Sequence, residues 1–153
     1  MPHTDDTAER PPLSFAQQRM WLLHHYAPDL ALYNSHVAFR LQGPLSAPVL
    51  ERALRLLAER HEGLRTTFPS VEGRPEVVIA EDVSFQLELE EVRAPDAEAA
   101  ALERATAEVR RVFDLDRGPL WRARLLRLAP AIVVATTLRA CTGVTALLTA
   151  AQH

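Results

Sequence analysis

The chain has 153 residues and a mass of 17.1 kDa, which predicts one domain or one lobe of a larger domain. The composition, 48% apolar and 24% charged residues, is that of a globular protein, and the single cysteine, Cys141, excludes a disulfide framework. All 17 basic residues are arginine, which excludes a Schiff-base or phosphate-loop lysine, and a net charge of −3 argues against a nucleic-acid partner. No apolar stretch reaches the ~20 residues that span a bilayer, so we expect a cytoplasmic protein without membrane contact.

The first elements are a polar leader, a helix and a strand. Residues 1–12 lack the apolar core of a signal peptide and predict a flexible leader. Ser14 and Gln17 have the spacing of a capping box, which predicts a helix that runs to about Tyr26. Apolar and polar residues alternate over 33–42, which is typical of a half-buried strand.

The rest of the chain adds two helices and several strands. Ser46 is expected to cap a second helix that stops near Gly63, and Asp96 a third whose apolar face includes Leu102, Ala105 and Val109. The predicted strands are 64–68, 76–80, 85–90, 120–128 and 132–138. This order predicts a mixed β-sheet with helices packed on it.

Two clusters of residues are candidates for chemistry. The first, at the start of the chain, combines Arg19 with Met20 and Trp21 on one short helix, which also fits an ordinary amphipathic helix. The second, RHEGLRTTF over 60–68, places four ionisable groups at a helix-to-strand junction, which also fits a solvated helix end. If Arg65 faced inward, it would need a carboxylate partner, because an unpaired buried charge is costly.

The remaining histidines give no convincing site. His24 and His25 precede Asp29 with the spacing HHxxxD, but they fall at a fraying helix end before a proline, so we assign them no catalytic role. No pair of histidines has a ligand spacing with an acid, so we expect no metal site.

Four segments occur in the order and spacing that are typical of one family. They are PLSFAQQRMWLL, YNSHVAFRLQGPL, RHEGLRTTF and FDLDRGPLWRARLLRLAP, and together they cover about residues 11–130. The chain resembles the N-terminal part of the condensation domain of nonribosomal peptide synthetases. The resemblance implies an α+β fold of the chloramphenicol-acetyltransferase-like type, with a mixed β-sheet and helices in a two-layer α/β sandwich. This chain would form most of its N-terminal lobe.

The resemblance also implies a reaction and its partners. The family joins an acyl or peptidyl donor to an aminoacyl acceptor, both carried on the phosphopantetheine of carrier proteins, and it binds no cofactor directly. Its signature is HHxxxDG at the end of a strand, in which the second histidine acts on the acceptor amine. General-base help of this kind is worth about 10²–10⁴-fold in rate, and positioning of two tethered reactants contributes further.

That signature is missing from this sequence. The closest fit places Thr137 and Leu138 at the two histidines, Thr142 at the acid and Gly143 at the glycine. We therefore name no catalytic residue. The residues that carry over as supporting the family motifs are Arg19, Trp21, Arg60, His61, Glu62 and Arg65.

The leading hypothesis is a truncated condensation-domain lobe that is inactive alone because the signature and the C-terminal lobe are missing. One alternative is a split enzyme completed by a second chain that supplies the C-terminal lobe. Another is a non-catalytic module that binds carrier proteins. The expected organisation is a leader over 1–12, the lobe over 13–130, and over 131–153 a divergent apolar tail that replaces the HHxxxDG segment.

Overall fold

A computed structural model of the chain describes residues 12–28, 31, 33–128 and 131–139; within the last range, side chains are described for Ile132, Ala135 and Thr137. Of the expected leader, only Pro12 falls inside these ranges. Positions 142 and 143 of the expected signature segment fall outside them. No helix in the described part is long and apolar enough to cross a membrane.

Three helices form where the sequence predicts them. They are α1 (Phe15–Tyr26), α2 (Ala47–Arg60) and α3 (Ala97–Arg110). The capping box of α1 is confirmed, since Ser14 and Gln17 exchange side-chain to backbone hydrogen bonds of 2.8 and 3.2 Å. Asp96 caps α3 by accepting from the amide of Ala99 at 2.9 Å. Ser46 lies at the start of α2, but its hydroxyl makes no capping hydrogen bond, so that detail of the prediction is wrong.

A four-stranded mixed sheet forms the centre of the described part. Its strands, in spatial order, are β1 (Asn34–Gln42), β8 (Ala131–Arg139), β7 (Trp121–Arg127) and β6 (Glu88–Glu91). The strands β1, β8 and β7 pair antiparallel, and β6 pairs parallel to β7. The mixed sheet of the α+β prediction is therefore confirmed, and β8 takes a central position in it.

The predicted strands at 64–68 and 76–80 are much shorter in the structure. A 3₁₀ helix (Glu62–Arg65) takes the first half of the former, and only β2 (Thr66–Thr67) and β5 (Val78–Ile79) pair, antiparallel. Between them, β3 (Ser70–Val71) and β4 (Arg74–Pro75) form a hairpin. Its turn residues Glu72 and Gly73 both have positive φ, which a tight hairpin turn requires.

Helices cover both faces of the central sheet. Trp121, Ala123 and Leu125 pack with Ala58 of α2, whereas Leu126, the next residue of β7, packs with Ala101 of α3 on the opposite face. In the described part of the chain, α2 and α3 therefore lie against opposite faces of this sheet.

The buried face of α3 includes Ala105, as predicted, but differs from the prediction at Leu102. Leu102 is exposed, whereas Ala101, Ala105 and Glu108 are buried. Alanine lets the helix approach the sheet closely, and a carboxylate at position 108 meets arginines that β7 presents on this face. Burial here follows the partner surface rather than the apolarity of the helix residue.

Candidate functional site

The end of β8 holds the two positions that fit the expected histidines. Thr137 lies opposite His36 of β1 and Arg122 of β7, and Leu138 lies opposite Ser35 and Trp121. Thr137 is 1% exposed, so its hydroxyl is enclosed between the neighbouring strands and α3. Hydroxyl and aliphatic side chains accept no proton near neutral pH, so neither Thr137 nor Leu138 can act as a general base.

Arg65, at the end of the 3₁₀ helix, faces inward. Its side chain is 19% exposed, and one terminal nitrogen donates to the backbone oxygen of Ala80 at 2.5 Å. The nearest carboxylate is that of the exposed Glu62, at 3.8 Å. The buried Nε of Arg65 has no hydrogen-bond partner among the described residues. The expectation that an inward Arg65 needs a carboxylate is therefore only weakly met by the described part.

Arg65 lines a small cavity together with Trp121 of β7. The cavity has a volume of about 100 Å³, and its wall includes Arg65, Thr67, Ser84 and Trp121. Trp121 is the residue opposite Leu138 in the β7–β8 pair. The structure thus brings Arg65 and Thr67 of the segment RHEGLRTTF to Trp121, on the strand next to the end of β8 where the closest fit to the signature lies.

Trp21 ties the helix α1 to the rest of the fold. Its indole Nε1 donates to the backbone oxygen of Phe68 at 3.2 Å, and its ring stacks on His25 with centroids 4.8 Å apart. The amide of Phe68 in turn donates to Leu115 at 2.7 Å. These bonds join three of the four segments that carry the resemblance. One buried apolar cluster contains all the side chains at this junction: Met20, Trp21, Phe68, Val77, Phe113, Leu115 and Leu120.

The other residues named from the sequence lie at the surface. Arg19, Arg60 and Glu62 are exposed, and His61 is half-buried at the end of α2. Among the described residues, neither Arg19 nor Arg60 makes an ion pair. The structure therefore brings Arg65 to Trp121, beside the strand end, but it does not bring the whole charged set there.

The main polar cluster was not found from the sequence. Glu108 of α3 is 3% exposed, and its carboxylate is 2.7 Å from Arg122, 3.0 Å from Arg111 and 3.6 Å from Arg124. Arg124 also bonds Glu88 at 2.6 Å. The signal in the sequence was the alternation WRARLLR, in which arginines at every second position need carboxylates on the facing element.

These contacts shift the pKa values of the charged groups. The hydrogen bond from Arg124 lowers the pKa of Glu88, and the charge of Arg111 acts in the same direction. Burial lowers the pKa of Arg122, which Glu108 opposes. For Arg124, burial alone would lower the pKa, but the hydrogen bond and charge of Glu88 outweigh it and raise the pKa.

The same cluster closes the carboxyl end of α3. Arg122 donates to the backbone oxygen of Arg111 at 2.8 Å, and its guanidinium lies 3.8 Å from the ring centroid of Phe113. From the other side, the amide of Asn34 on β1 donates to Val109 at 2.7 Å and to Arg111 at 3.0 Å. Side chains from two strands thus satisfy carbonyls that a helix end leaves free.

Comparison with known sequences identifies the family. The model of the condensation domain matches residues 7–136. The chain is 46% identical over 121 residues to one of the linear gramicidin synthase proteins of Brevibacillus parabrevis, and 39% identical over 127 residues to the phosphinothricin tripeptide synthetase PhsB of Streptomyces viridochromogenes. These matches cover 77% and 81% of this chain but only 2% and 11% of those proteins. The chain belongs to the condensation-domain family of nonribosomal peptide synthetases.

Solved structures give the same result. A variant of the starter condensation domain of the rhizomide synthetase RzmA superposes with a TM-score of 0.80 at 25% identity. The first condensation domain of the calcium-dependent antibiotic synthetase, in complex with a substrate analogue, superposes with a TM-score of 0.76 at 26% identity. The matches cover 86% and 85% of this chain, which spans about a third of those chains, 31% and 32%. The chloramphenicol-acetyltransferase-like fold implied by the resemblance is confirmed.

Proposed function

We propose that this chain provides the N-terminal scaffold of a condensation domain and does not by itself catalyse amide formation. The observation that carries the proposal is the identity of the residues at the end of β8. If the signature fits at 137–143, Thr137, Leu138 and Thr142 replace two histidines and an acid. None of these groups can take a proton from an amine near neutral pH.

The test is a direct assay of amide formation. The purified 153-residue chain is incubated with donor- and acceptor-loaded carrier proteins, and the product is measured by mass spectrometry. A complete condensation domain with an intact HHxxxDG serves as the positive control. We expect no product above the uncatalysed rate. Amide formation by the chain alone would contradict the proposal.

A split enzyme is the second candidate, and the apolar surface of α1 favours it. Phe15 is 92% exposed and Tyr26 81%, with Leu22 between them half-exposed, so this helix presents a face that another chain could cover. Against it stands the position of β8, which is paired along its whole length with β1 and over most of it with β7. A second chain bringing its own HHxxxDG strand would have to displace β8.

Coexpression with the C-terminal lobe of a condensation domain separates the two candidates. A stable complex with amide-forming activity would favour the split enzyme. A complex without activity, or no complex, agrees with the first proposal.

Carrier proteins with phosphopantetheine-bound substrates are the partners that the family implies. The third hypothesis, a carrier-binding module, predicts saturable binding of a carrier protein to the labelled chain. Failure to saturate at millimolar concentration would remove it.

A further inference from the structure

An open groove lies beside β6, at the edge of the four-stranded sheet. It has a volume of about 660 Å³ and lies between the first turns of α2 and the ends of β6 and β7. Arg127 is the residue of β7 that lines the groove. Arg127 pairs with Ile132, whereas Arg122 pairs with Thr137, so Arg127 lies about 17 Å along β7 from Arg122.

The walls of the groove combine an apolar floor with positive charge. Three arginines lie on the walls, Arg52, Arg55 and Arg127, against one acid, Glu51, which is paired with Arg55 at 3.1 Å. Two positive charges therefore remain on the groove of a chain whose net charge is −3. The apolar side chains of the floor are Leu45, Ala47, Pro48, Leu87 and Leu89.

The two remaining arginines have no ion-pair partner in the described part of the chain. Within those ranges, no acidic group lies within 4 Å of the guanidinium of Arg52. The carboxylate of Glu91 forms its ion pair with Arg93, at 2.5 Å, and the hydrogen bond from Arg93 is the main cause of its lowered pKa, to which the charge of Arg127 adds. Both guanidiniums are thus available to carboxylates of a ligand. The amino end of α2, where Ser46 makes no capping bond, adds positive partial charge.

The groove borders an exposed stripe on α2 that consists of two apolar side chains with an arginine between them. Val49, Arg52 and Leu56 share one side of the helix at positions i, i+3 and i+7, and Val49 and Leu56 are more than half exposed. The stripe extends for about 10 Å along the helix axis. A small anion would leave this stripe and the floor uncovered, whereas a helix with apolar and acidic side chains would cover both.

We propose that this groove, together with the α2 stripe, binds an acidic amphipathic helix of a partner polypeptide. Apolar side chains of the partner fill the floor around Leu89, and its carboxylates bind Arg52 and Arg127. The charge complementarity selects an acidic segment.

The test uses the full chain and a fluorescein-labelled amphipathic peptide, with leucine at helical spacing and glutamate on the flanks. A matched peptide carries glutamine in place of glutamate. We expect saturable binding of the acidic peptide by anisotropy, weaker at higher salt. The double variant R52E/R127E should weaken this binding by about tenfold, while R74E, a charge reversal at one exposed arginine outside the groove, should not. Circular dichroism checks that each variant is folded.

Four results would overturn the proposal. They are no saturable binding of the acidic peptide, equal binding of the glutamine peptide, unchanged affinity in R52E/R127E, and displacement of the peptide by inorganic pyrophosphate at equal concentration. Preferential binding to phosphatidylglycerol vesicles over the peptide would assign the groove to a membrane surface instead. Weaker binding by L89S would support the proposed role of the floor.

Discussion

Glu108 and Arg122 form an ion pair of 2.7 Å between α3 and β7, and the carboxylate is almost completely buried. The pair joins the layer of α3 to the central sheet on the face away from α2. Because two more arginines lie within 4 Å of the same carboxylate, the side chain of Glu108 balances several charges at once.

Removing the carboxylate should destabilise the fold strongly. In Glu108→Ala, Arg122 is left without its carboxylate in a largely buried position, and we expect the free energy of unfolding to fall by about 3 kcal/mol. Urea denaturation followed by circular dichroism measures this. The control is Glu103→Ala, on the same helix but exposed, which should change stability by less than about 0.5 kcal/mol.

A double variant distinguishes the charge from the packing. Replacing both partners, in E108L/R122M, removes the buried charges of the pair together, so most of the lost stability should return. A double variant as unstable as Glu108→Ala would show that the bonds of Arg122 to the end of α3 matter more than the pair.

The sequence predicts what local signals specify and misses what distant partners specify. The capping box at Ser14 and the alternation over 33–42 depend on neighbours within a few residues, and both elements form as predicted. Glu108 becomes buried because of arginines on β7, a separate element that follows α3 in the chain. Helical spacing of apolar residues favoured Leu102 instead, since periodicity carries no information about the surface that the helix meets.

The same distinction between local signals and distant partners applies to the candidate site. The resemblance located the strand end at Thr137 and Leu138. It also singled out Arg65, for which an inward-facing side chain would require a carboxylate partner. It did not show that Trp121 connects them, because that contact depends on the pairing of β7 with β8 and on the position of the 3₁₀ helix. Contacts between elements distant in sequence are the part that single-sequence reasoning cannot supply.

Arg65 should matter much less to stability than Arg122. Its nearest carboxylate is at 3.8 Å, and the backbone oxygen of Ala80 that it bonds belongs to an exposed residue that water can reach. We expect Arg65→Met to change the free energy of unfolding by less than about 1 kcal/mol, against about 3 kcal/mol for Arg122→Met. Urea midpoints of the two variants give the comparison. Equal losses would mean that Arg65 has a strong partner.

Stability should fall in acid partly through Glu88. Its pKa is lowered in the folded protein by Arg124, so the unfolded state binds the proton more readily. The contribution is complete above the ordinary glutamate value of about 4.3 and is lost as the pH falls through the lowered value. Because the side chain is 47% exposed, the contribution is below about 1 kcal/mol.

The comparison of Glu88→Gln with the unsubstituted chain measures this contribution. The difference in unfolding free energy between the two should be largest near neutral pH and shrink below about pH 4. Glu103→Gln, without an ion pair in the described part, is the control and should show no such convergence. A Glu88→Gln curve parallel to that of the unsubstituted chain would contradict the role of this pair.

Gly118, which lines the same small cavity as Arg65, should tolerate substitution poorly. Its φ is +61°, and a Cβ there would lie 2.7 Å from Cγ2 of Thr67. Thr67 is β-branched, so its methyl group cannot move aside easily. We expect Gly118→Ala to lower stability by about 2–3 kcal/mol, from backbone strain of about 1 kcal/mol and overpacking for the rest. In G118A/T67S the methyl group is gone, so only the backbone strain should remain. If the double variant is no more stable than Gly118→Ala, the clash with Thr67 is not the cause.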